Sequence, residues 1–320
     1  MNKNCPVSAH GVCTVESPCK INLHLRIGEK RPDGFHNLES IFAALAFGDS
    51  LRFERMEGEG ASEILMKAEG PGGTVPPEKN LIYRALALFR ERTGYRAGFR
   101  VTVDKRIPLG AGLGGGSSNA ASTLLALDSL ANTRLPAGEM KEMALSLGSD
   151  VPFFLLGGAA FVSGRGEYAE PVAPPRNLLV ILVKPPFESN TARAYGLLDK
   201  TREQGTGERG PVLAKEALVR ALYVDPETWP FYNDFLPVFR GPNSGEKGEE
   251  REHAAFYRSI FDEFRGLGAS FAGLSGSGSC CFGIFKNRNL AETAEKTLSR
   301  QGIFVRLTFF VARKAKLVLQ

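Results

Sequence analysis

The chain has 320 residues, of which 43% are hydrophobic and 23% charged, and this length is sufficient for two domains of ordinary size. No apolar run approaches the roughly 18 residues that a membrane-spanning helix needs, and the first residues lack the apolar segment of a signal peptide, so we expect a cytoplasmic protein. The net charge of +5 suits an anionic small-molecule substrate, or nucleic acid held weakly.

Cysteine and histidine are too few and too scattered for a disulfide framework or a zinc site. The five cysteines are an odd number and include no CxxC pair, and the four histidines do not have metal-ligand spacing. We therefore expect thiols that are mostly buried and no metal centre built from histidine.

The first predicted element is a strand from Pro18 to Ile27, which follows a leader of uncertain order at residues 1–16. Apolar residues alternate with polar ones and are predicted to point inward. Lys20 and Asn22 lie on the other face, where they form either a solvated strand edge or part of a functional site.

A polar turn follows this strand and ends in Phe35 and His36. The two residues are either a hydrophobic anchor and a surface imidazole, or a stacking ring and a group that reads the edge of a base. After the apolar run at 41–47, the residues Gly48-Asp49-Ser50 are interpreted as a turn into another strand. Asn80 is predicted to cap a helix from Leu81 to Thr93.

The most informative stretch is PLGAGLGGGSSNAAS, from Pro108 to Ser122. It follows an alternating strand at 99–103 and leads into a helical pattern that begins at Asn119. Glycine allows the backbone N–H groups to surround an anion, and the helix N-terminus favours a phosphate. The stretch lacks both the Walker A lysine and the Rossmann spacing, so a phosphate site and a structural hinge both remain possible on its own pattern.

Asp150 lies after a predicted helix at 137–147 and before a strongly apolar stretch. The aspartate is either a helix cap or a catalytic carboxylate. The composition changes at residues 171–176 (PVAPPR), which predicts a domain at 1–170 and a second at 171–320.

The second half is predicted from fewer signals. Residues 200–252 are expected to form surface loops around an aromatic patch. The turn at 273–279 (GLSGSGS) before a strand at 280–285 is either a hairpin or a second anion-binding turn. A helix capped by Asn289 and a final strand at 303–311 are expected to close the chain.

Three stretches together resemble the signatures of the GHMP small-molecule kinases. They are PCKINL at 18–23, PLGAGLGGGSSNA at 108–120 and LSGSG at 274–278. The segments RPDGFH at 31–36 and LGSDVPFF at 147–154 resemble the branch of that family that acts on 4-diphosphocytidyl-2-C-methyl-D-erythritol. The resemblance implies an α+β, two-domain GHMP kinase fold, with a ribosomal-protein-S5-domain-2-like N-terminal domain and a ferredoxin-like C-terminal domain.

The resemblance implies that the γ-phosphoryl group of ATP is transferred to the 2-hydroxyl of the methylerythritol moiety, with Mg²⁺ as cofactor. Asp150 corresponds to the catalytic aspartate and Lys20 to the lysine beside it; a loose phosphoryl-transfer transition state needs this kind of alignment and charge compensation. The phosphates are expected at Gly110, Gly112, Leu113, Gly114, Gly115, Gly116, Ser117 and Ser118, with either serine near the metal.

The resemblance also implies a set of base and substrate contacts. The adenine is expected at Asn80, Lys105 and Pro108. His36 is expected to read the cytosine edge while Phe35 and, by its position, Tyr195 stack on the two faces of the ring. The methylerythritol diphosphate is expected to be lined by Asn22, Ser275, Gly276 and Ser277.

Two other functions are compatible with parts of this pattern. One is a GHMP kinase for homoserine or a mevalonate-type substrate, in which the pair Phe35 and His36 has no base to read. The other is a non-catalytic nucleic-acid-binding protein, which the scattered basic residues and the lack of an aromatic-basic motif disfavour. We therefore expect small-molecule partners, and neither nucleic acid nor a membrane.

Overall fold

The computed structural model describes residues 11–60, 62–68, 76–205, 209–240, 249–300, 302–312 and 315–319. These residues form two β-sheets with helices packed against them. Cys5, His10 and most of the predicted leader lie outside the described residues. Cys13, Cys19, Cys280 and Cys281 are buried thiols.

The first sheet has the strand order β11-β1-β2-β4-β3, and β5 pairs with β2 and β6. The second sheet has the order β10-β7-β9-β8. The strands are β1 Val12–Lys30, β2 His36–Glu59, β3 Glu63–Ala68, β4 Ala97–Lys105, β5 Ala159–Gly164, β6 Tyr168–Val172, β7 Leu179–Lys184, β8 Phe271–Leu274, β9 Cys281–Phe285, β10 Phe304–Phe309 and β11 Lys316–Leu319.

Nine α-helices are present in the described part of the chain. Those of the first half pack on the first sheet, and α5, α7, α8 and α9 contribute to a core with the second sheet. The helices are α1 Leu81–Thr93, α2 Gly115–Ala131, α3 Ala137–Leu147, α4 Val151–Leu156, α5 Thr191–Glu203, α6 Lys215–Ala221, α7 Phe235–Arg240, α8 Glu249–Gly266 and α9 Arg288–Ser299. A third core contains side chains of both sheets, including Ile21, Leu23, Val180 and Phe282, so the two halves share a continuous apolar contact.

Four local predictions were wrong. Residues 200–252, predicted as surface loops, contain α6, α7 and the start of α8. Residues 12–16 belong to β1, because all of them pair with β2 and residues 13–16 pair also with β11. The turn predicted at Gly48-Asp49-Ser50 is a continuous part of β2: a Cβ on Gly48 would lie 2.2 Å from the Ser17 carbonyl oxygen, so glycine here allows close strand packing. The last helix is capped by Asn287, whose Oδ1 accepts from the N–H of residues 289 and 290.

The outer edge of β1, opposite β2, contacts three separate parts of the chain. Residues 13–16 pair with β11. Further along, the N–H of Lys20 donates to the carbonyl oxygen of Leu113 at 3.0 Å. The N–H of Leu25 then donates to Tyr232 at 2.7 Å, and the N–H of Asp234 donates back to Leu25 at 3.0 Å. One strand edge thus joins the chain terminus, the glycine-rich loop and a segment of the second half.

The proposed division after residue 170 does not coincide with a sheet boundary. β6 runs to Val172 in the first sheet, and β11 returns from the far end of the chain to pair with β1. The strand pairing therefore favours a division after Val172, with the last strand assigned to the first domain.

His24 on β1 joins the two halves through a neutral imidazole. Its side chain is buried, and its Nδ1 accepts from the N–H of Tyr232 at 3.1 Å. Burial, with a smaller contribution from the charge of Arg26, lowers the pKa of His24 from 6.5 to about 4. The unfolded chain therefore binds this proton more readily than the folded protein between these two values.

We expect this histidine to make stability fall with acid. The contribution is present above pH 6.5 and is lost as the pH falls toward 4. Between pH 7 and pH 5 the free energy of unfolding should fall by about 2 kcal/mol through His24 alone. Urea unfolding at the two pH values measures it, with His24→Asn as the control that keeps an acceptor but cannot titrate. An equal pH dependence in the two proteins would contradict the assignment.

Candidate active site

Lys20 and Asp150 come together from β1 and the start of α4. The Lys20 Nζ lies 3.6 Å from the Asp150 Oδ2, with the lysine side chain buried and the aspartate side chain 34% exposed. The ammonium also donates to the Asn22 Oδ1 at 2.6 Å and lies 4.5 Å from the centroid of the Phe42 ring. The predicted lysine and aspartate are therefore a pair at one site, with the carboxylate on its open side.

The effect of burial on the pKa of Lys20 is only partly offset by the charge of Asp150. Desolvation lowers the pKa of Lys20 below 10.5, while the negative charge of Asp150 acts in the opposite direction. Asn22 is held in turn, because its Nδ2 donates to the Ser40 Oγ at 3.0 Å. Lys20 and Asn22 are thus not a solvated strand edge but a buried and ordered polar group.

Asp150 occupies the cap position of α4 without acting as a cap. Its side chain accepts no capping hydrogen bond, so the carboxylate is available to Lys20 and to a ligand. The alternative interpretation of this residue as a structural helix cap is therefore not supported.

The carbonyl groups and the N–H groups of the glycine-rich loop differ in their hydrogen bonding. The carbonyl oxygens of residues 110–114 all accept, from Ser189 N, Cys280 N, Ser275 Oγ, Lys20 N and Ser118 N in chain order. No N–H from 110 to 116 donates to another residue that the structure describes. Gly110, Gly112 and Gly114 have positive φ, which is the backbone arrangement of an anion-binding nest. The loop can therefore receive an anion through main-chain donors at the start of α2.

The serine-rich turn of the second half packs directly on this loop. It joins β8 to β9 as a hairpin, and the Ser275 Oγ donates to the Gly112 carbonyl oxygen at 2.9 Å. A Cβ on Gly112 would lie 2.2 Å from the Ser275 carbonyl oxygen, so only glycine fits there. A Cβ on Gly276 would lie 3.5 Å from the Asn22 Oδ1. The turn, the loop and Asn22 thus surround the same space.

The two serines at the start of α2 differ in availability. Ser118 is buried and its Oγ accepts from the Ser17 Oγ at 2.7 Å. Ser117 is half-buried. The structure therefore favours Ser117 as the hydroxyl that can approach a bound ligand or metal. No cluster of three or more His, Cys, Asp or Glu residues suited to a metal ion occurs in the described ranges.

The residues predicted for the adenine are partly committed elsewhere. The Asn80 Oδ1 caps α1 by accepting from Ile82 N at 3.0 Å. The Lys105 Nζ is buried and bonded to Asp49 and to the Ile107 carbonyl oxygen, so the structure does not support a direct contact of this ammonium with a base. Pro108 is half-buried beside them.

His36 is held by groups that sequence reasoning missed. Its Nε2 lies 2.8 Å from the Asp199 Oδ1, and Lys30 donates to the other carboxylate oxygen at 3.1 Å. Burial opposes ionisation of Asp199, but the hydrogen bonds from Lys30 and His36 prevail and lower its pKa below 3.8. Because Asp199 is ionised, it accepts a hydrogen bond from the Nε2–H of His36. The second ring nitrogen, Nδ1, can then bind another partner.

Tyr195 stacks on His36, and this changes its predicted role. The ring centroids are 5.1 Å apart at 24°, and Phe235 packs edge-on against the tyrosine at 5.0 Å. Burial, then the negative charges of Asp150 and Asp199, raises the pKa of Tyr195 to about 12. Phe35 is 55% exposed with Arg165 over its ring. Tyr195 therefore stacks on His36, and its ring does not offer an open face opposite Phe35.

Two further residues fix the second half against this site. The Asn233 Nδ2 donates to the carbonyl oxygens of Leu274 and Gly276 at 2.7 and 2.9 Å. The Asp234 Oδ2 accepts from Ile27 N at 2.7 Å and from Arg202. An Asn-Asp pair beside an aromatic patch was the only sequence signal for this role.

Comparison with known families gives matches in both halves. Residues 80–158 match the GHMP kinases N terminal domain and residues 241–303 match the GHMP kinases C terminal. The chain is 37% identical over 293 residues to the 4-diphosphocytidyl-2-C-methyl-D-erythritol kinase of Treponema pallidum, covering 90% of this chain and 95% of that relative. It is 43% identical to the chloroplastic protein of that name from Oryza sativa, covering 84% of this chain and 63% of the relative.

Solved structures show the same similarity. A crystal structure of 4-(cytidine 5'-diphospho)-2C-methyl-D-erythritol kinase superposes with a TM-score of 0.73 at 32% identity, covering 93% of this chain and 98% of that one. A homoserine kinase from Cytophaga hutchinsonii superposes with a TM-score of 0.69 at 16% identity, covering 97% and 98%, and shares the fold. Within the ranges described, no helix is both long and apolar enough to cross a membrane.

Proposed function

The chain belongs to the GHMP kinases, in the 4-diphosphocytidyl-2-C-methyl-D-erythritol kinase family, and we propose that Asp150 and Lys20 are the catalytic residues of its phosphoryl transfer. It is an ATP-dependent kinase that phosphorylates the 2-hydroxyl of this cytidyl substrate, a step in isoprenoid precursor synthesis. The observation that carries the assignment of residues is the Lys20–Asp150 pair beside the glycine-rich loop.

Asp150 orients the acceptor hydroxyl and receives its proton as the hydroxyl oxygen bonds to the γ-phosphorus of ATP and the bond from that phosphorus to the ADP oxygen breaks. Its carboxylate is part-exposed and takes no capping bond, so an alcohol can reach it. Because a phosphoryl-transfer transition state is loose, alignment of the nucleophile matters more than strong activation.

Lys20 supplies a fixed positive charge beside the transferred group. Asn22 and the Phe42 ring hold its ammonium in place, so it needs no reorganisation when negative charge develops on the phosphoryl oxygens.

The glycine-rich loop holds the ATP phosphates through its N–H groups between Gly110 and Gly116. Three glycines with positive φ turn these donors to one side, and the carbonyl groups are all engaged elsewhere. The half-buried hydroxyl of Ser117 would be a ligand of Mg²⁺. When bound, Mg²⁺ neutralises phosphate charge in the transition state.

His36 and Phe35 recognise the cytosine. Because the Nε2 of His36 is engaged by Asp199, its Nδ1 is the ring nitrogen that hydrogen-bonds the edge of cytosine. Phe35 offers an exposed ring for stacking, while Tyr195 stacks on His36 and holds its ring in place. Asn22, Ser275, Gly276 and Ser277 line the methylerythritol diphosphate.

An ADP-release assay with three alcohols tests the choice of substrate. We expect turnover of 4-diphosphocytidyl-2-C-methyl-D-erythritol and at least a hundredfold lower kcat/KM for homoserine and for mevalonate, since neither offers a base to His36. Turnover of either alternative with no turnover of the cytidyl substrate would reject the assignment. Tight, strongly salt-dependent RNA binding without ATP use would favour the nucleic-acid alternative.

Two broader assignments accompany this function. The chain divides into a nucleotide-binding half and a C-terminal half that meet at the site, with the division near residues 170–172. A cytoplasmic location is the accompanying expectation from its sequence.

A further inference from the structure

Asp49 lies beneath the nucleotide loop and has no contact with solvent. Its relative exposure is 0%. Its Oδ1 accepts from Arg106 N and Ile107 N, both at 2.8 Å, and its Oδ2 accepts from the Asn119 Nδ2 at 2.9 Å. The Lys105 Nζ lies 3.0 Å from Oδ2. One carboxylate therefore binds groups on both sides of the loop.

These donors mark the entry and the exit of the loop. Arg106 and Ile107 immediately precede Pro108, and Asn119 lies in the second turn of α2, which the loop enters. A Cβ on Gly115 would lie 3.0 Å from the Ile107 Cγ2, so the entry segment also packs against the first turn of that helix. The spacing between the two ends of the loop is thus set by Asp49 and by this contact.

The pairing with Lys105 explains how a buried carboxylate is tolerated. A lone buried charge is costly, but a paired and hydrogen-bonded one is much less so. Desolvation lowers the pKa of Lys105, and Asp49 opposes the effect. The lysine is therefore committed to Asp49 and leaves phosphate binding to the backbone N–H groups of the loop.

Main-chain donors bind phosphate well only when the loop holds them at the right spacing. A displacement of about 1 Å in such a site can cost on the order of a hundredfold in rate. The loop carbonyl groups accept hydrogen bonds from the serine-rich turn and from β1. Asp49 restrains the residues on either side of the loop by its bonds to residues 106, 107 and 119.

We propose that Asp49 is a positioning residue of the nucleotide site, which sets the shape of the 108–114 loop without touching ATP itself. The inference rests on the proposed assignment of this loop to the ATP phosphates. It predicts a selective effect on ATP binding. The residues proposed to bind the alcohol substrate, Asp150, Asn22 and His36, make no bond to Asp49.

The test is Asp49→Asn, which keeps the shape of the side chain but removes its charge and one acceptor oxygen. We expect the KM for ATP and the Kd for an unreactive ATP analogue to rise about tenfold or more, with the KM for the cytidyl substrate unchanged within about twofold. Asp104→Asn is the matched control: this half-exposed residue at the end of β4 pairs with Arg106, and the change should leave both constants within about twofold.

A merely structural role gives a different pattern. If Asp49→Asn lowers thermal stability but leaves both KM values and the analogue Kd unchanged, or raises both KM values alike, the proposal is overturned. Should Asp49→Asn fail to fold, Asn119→Ala decides the question, since it removes one of the bonds and keeps the ion pair. We expect a rise of about threefold in the KM for ATP alone, and no rise overturns the proposal.

The binding measurement separates this proposal from the proposed function. Calorimetric titration of the ATP analogue requires no acceptor alcohol. If the wild-type protein fails to phosphorylate the cytidyl substrate but Asp49→Asn still weakens analogue binding, the positioning role stands and the substrate assignment fails. If the wild-type protein turns over the cytidyl substrate and Asp49→Asn binds the analogue with wild-type affinity, the positioning role fails and the substrate assignment stands.

Discussion

Asp150→Asn is expected to lower kcat by about a hundredfold or more while the affinity for an ATP analogue stays within about twofold. The amide keeps the size of the side chain but cannot take the hydroxyl proton. It also removes the negative charge that lies 3.6 Å from the Lys20 ammonium. Because Asp150 makes no capping bond in α4, the fold should tolerate the change.

Single-turnover kinetics and calorimetric titration of the analogue measure the two effects separately. Asp262→Asn is a suitable control, since this exposed carboxylate pairs with Arg265 on the same helix, α8, and its loss should leave kcat unchanged. A loss of analogue binding that matches the loss of rate would assign Asp150 a structural role in the nucleotide site.

Lys20→Met should also lower kcat by about a hundredfold or more. Methionine retains an unbranched chain of similar length on the Phe42 ring, so the buried volume is preserved while the positive charge is lost. The change leaves the buried Asn22 Oδ1 without its donor and Asp150 without its counter-charge, so the thermal stability of the variant should fall below that of the wild type.

The double variant shows whether the two residues act as a unit. Since the charges lie in contact, we expect Lys20→Met combined with Asp150→Asn to lose much less than the product of the two single losses. Full multiplicativity in kcat would mean that lysine and aspartate act independently. A Lys20→Met protein with normal kcat would remove the lysine from the mechanism.

The parts of the site that could be predicted from sequence are those with a local pattern. The alternation along residues 20–27 placed Lys20 and Asn22 on one face of β1, although burial of that face depends on the second half of the chain. The pattern of the glycine-rich loop allowed either an anion site or a structural hinge, and the family resemblance favoured the anion site. The family resemblance supplied the pairing of Lys20 with Asp150, and the 3.6 Å contact is in keeping with it.

The missed parts depend on contacts between residues distant in sequence. Asp49 follows a glycine and precedes a serine, which is ordinary turn composition, yet it lies within β2 and accepts from residues 106, 107 and 119. In the sequence, Asp199 is one of many charged residues in a helical pattern. Its role depends on the packing of α5 beside His36, which the sequence does not indicate. Neither the edge strand β11, which pairs with β1, nor the Tyr195 contact with His36 has a signal within its own segment.

The outer edge of β1 determines how the chain can be divided. Its three partners, around residues 113, 232 and 317, are separated by most of the length of the polypeptide. A fragment that ends near residue 170 would keep the first of them and lose the others. It would carry bare backbone donors and acceptors at an exposed strand, the kind of surface through which proteins aggregate. Expression of either half alone should therefore give insoluble material, whereas co-expression of both fragments offers the missing strand partners in trans.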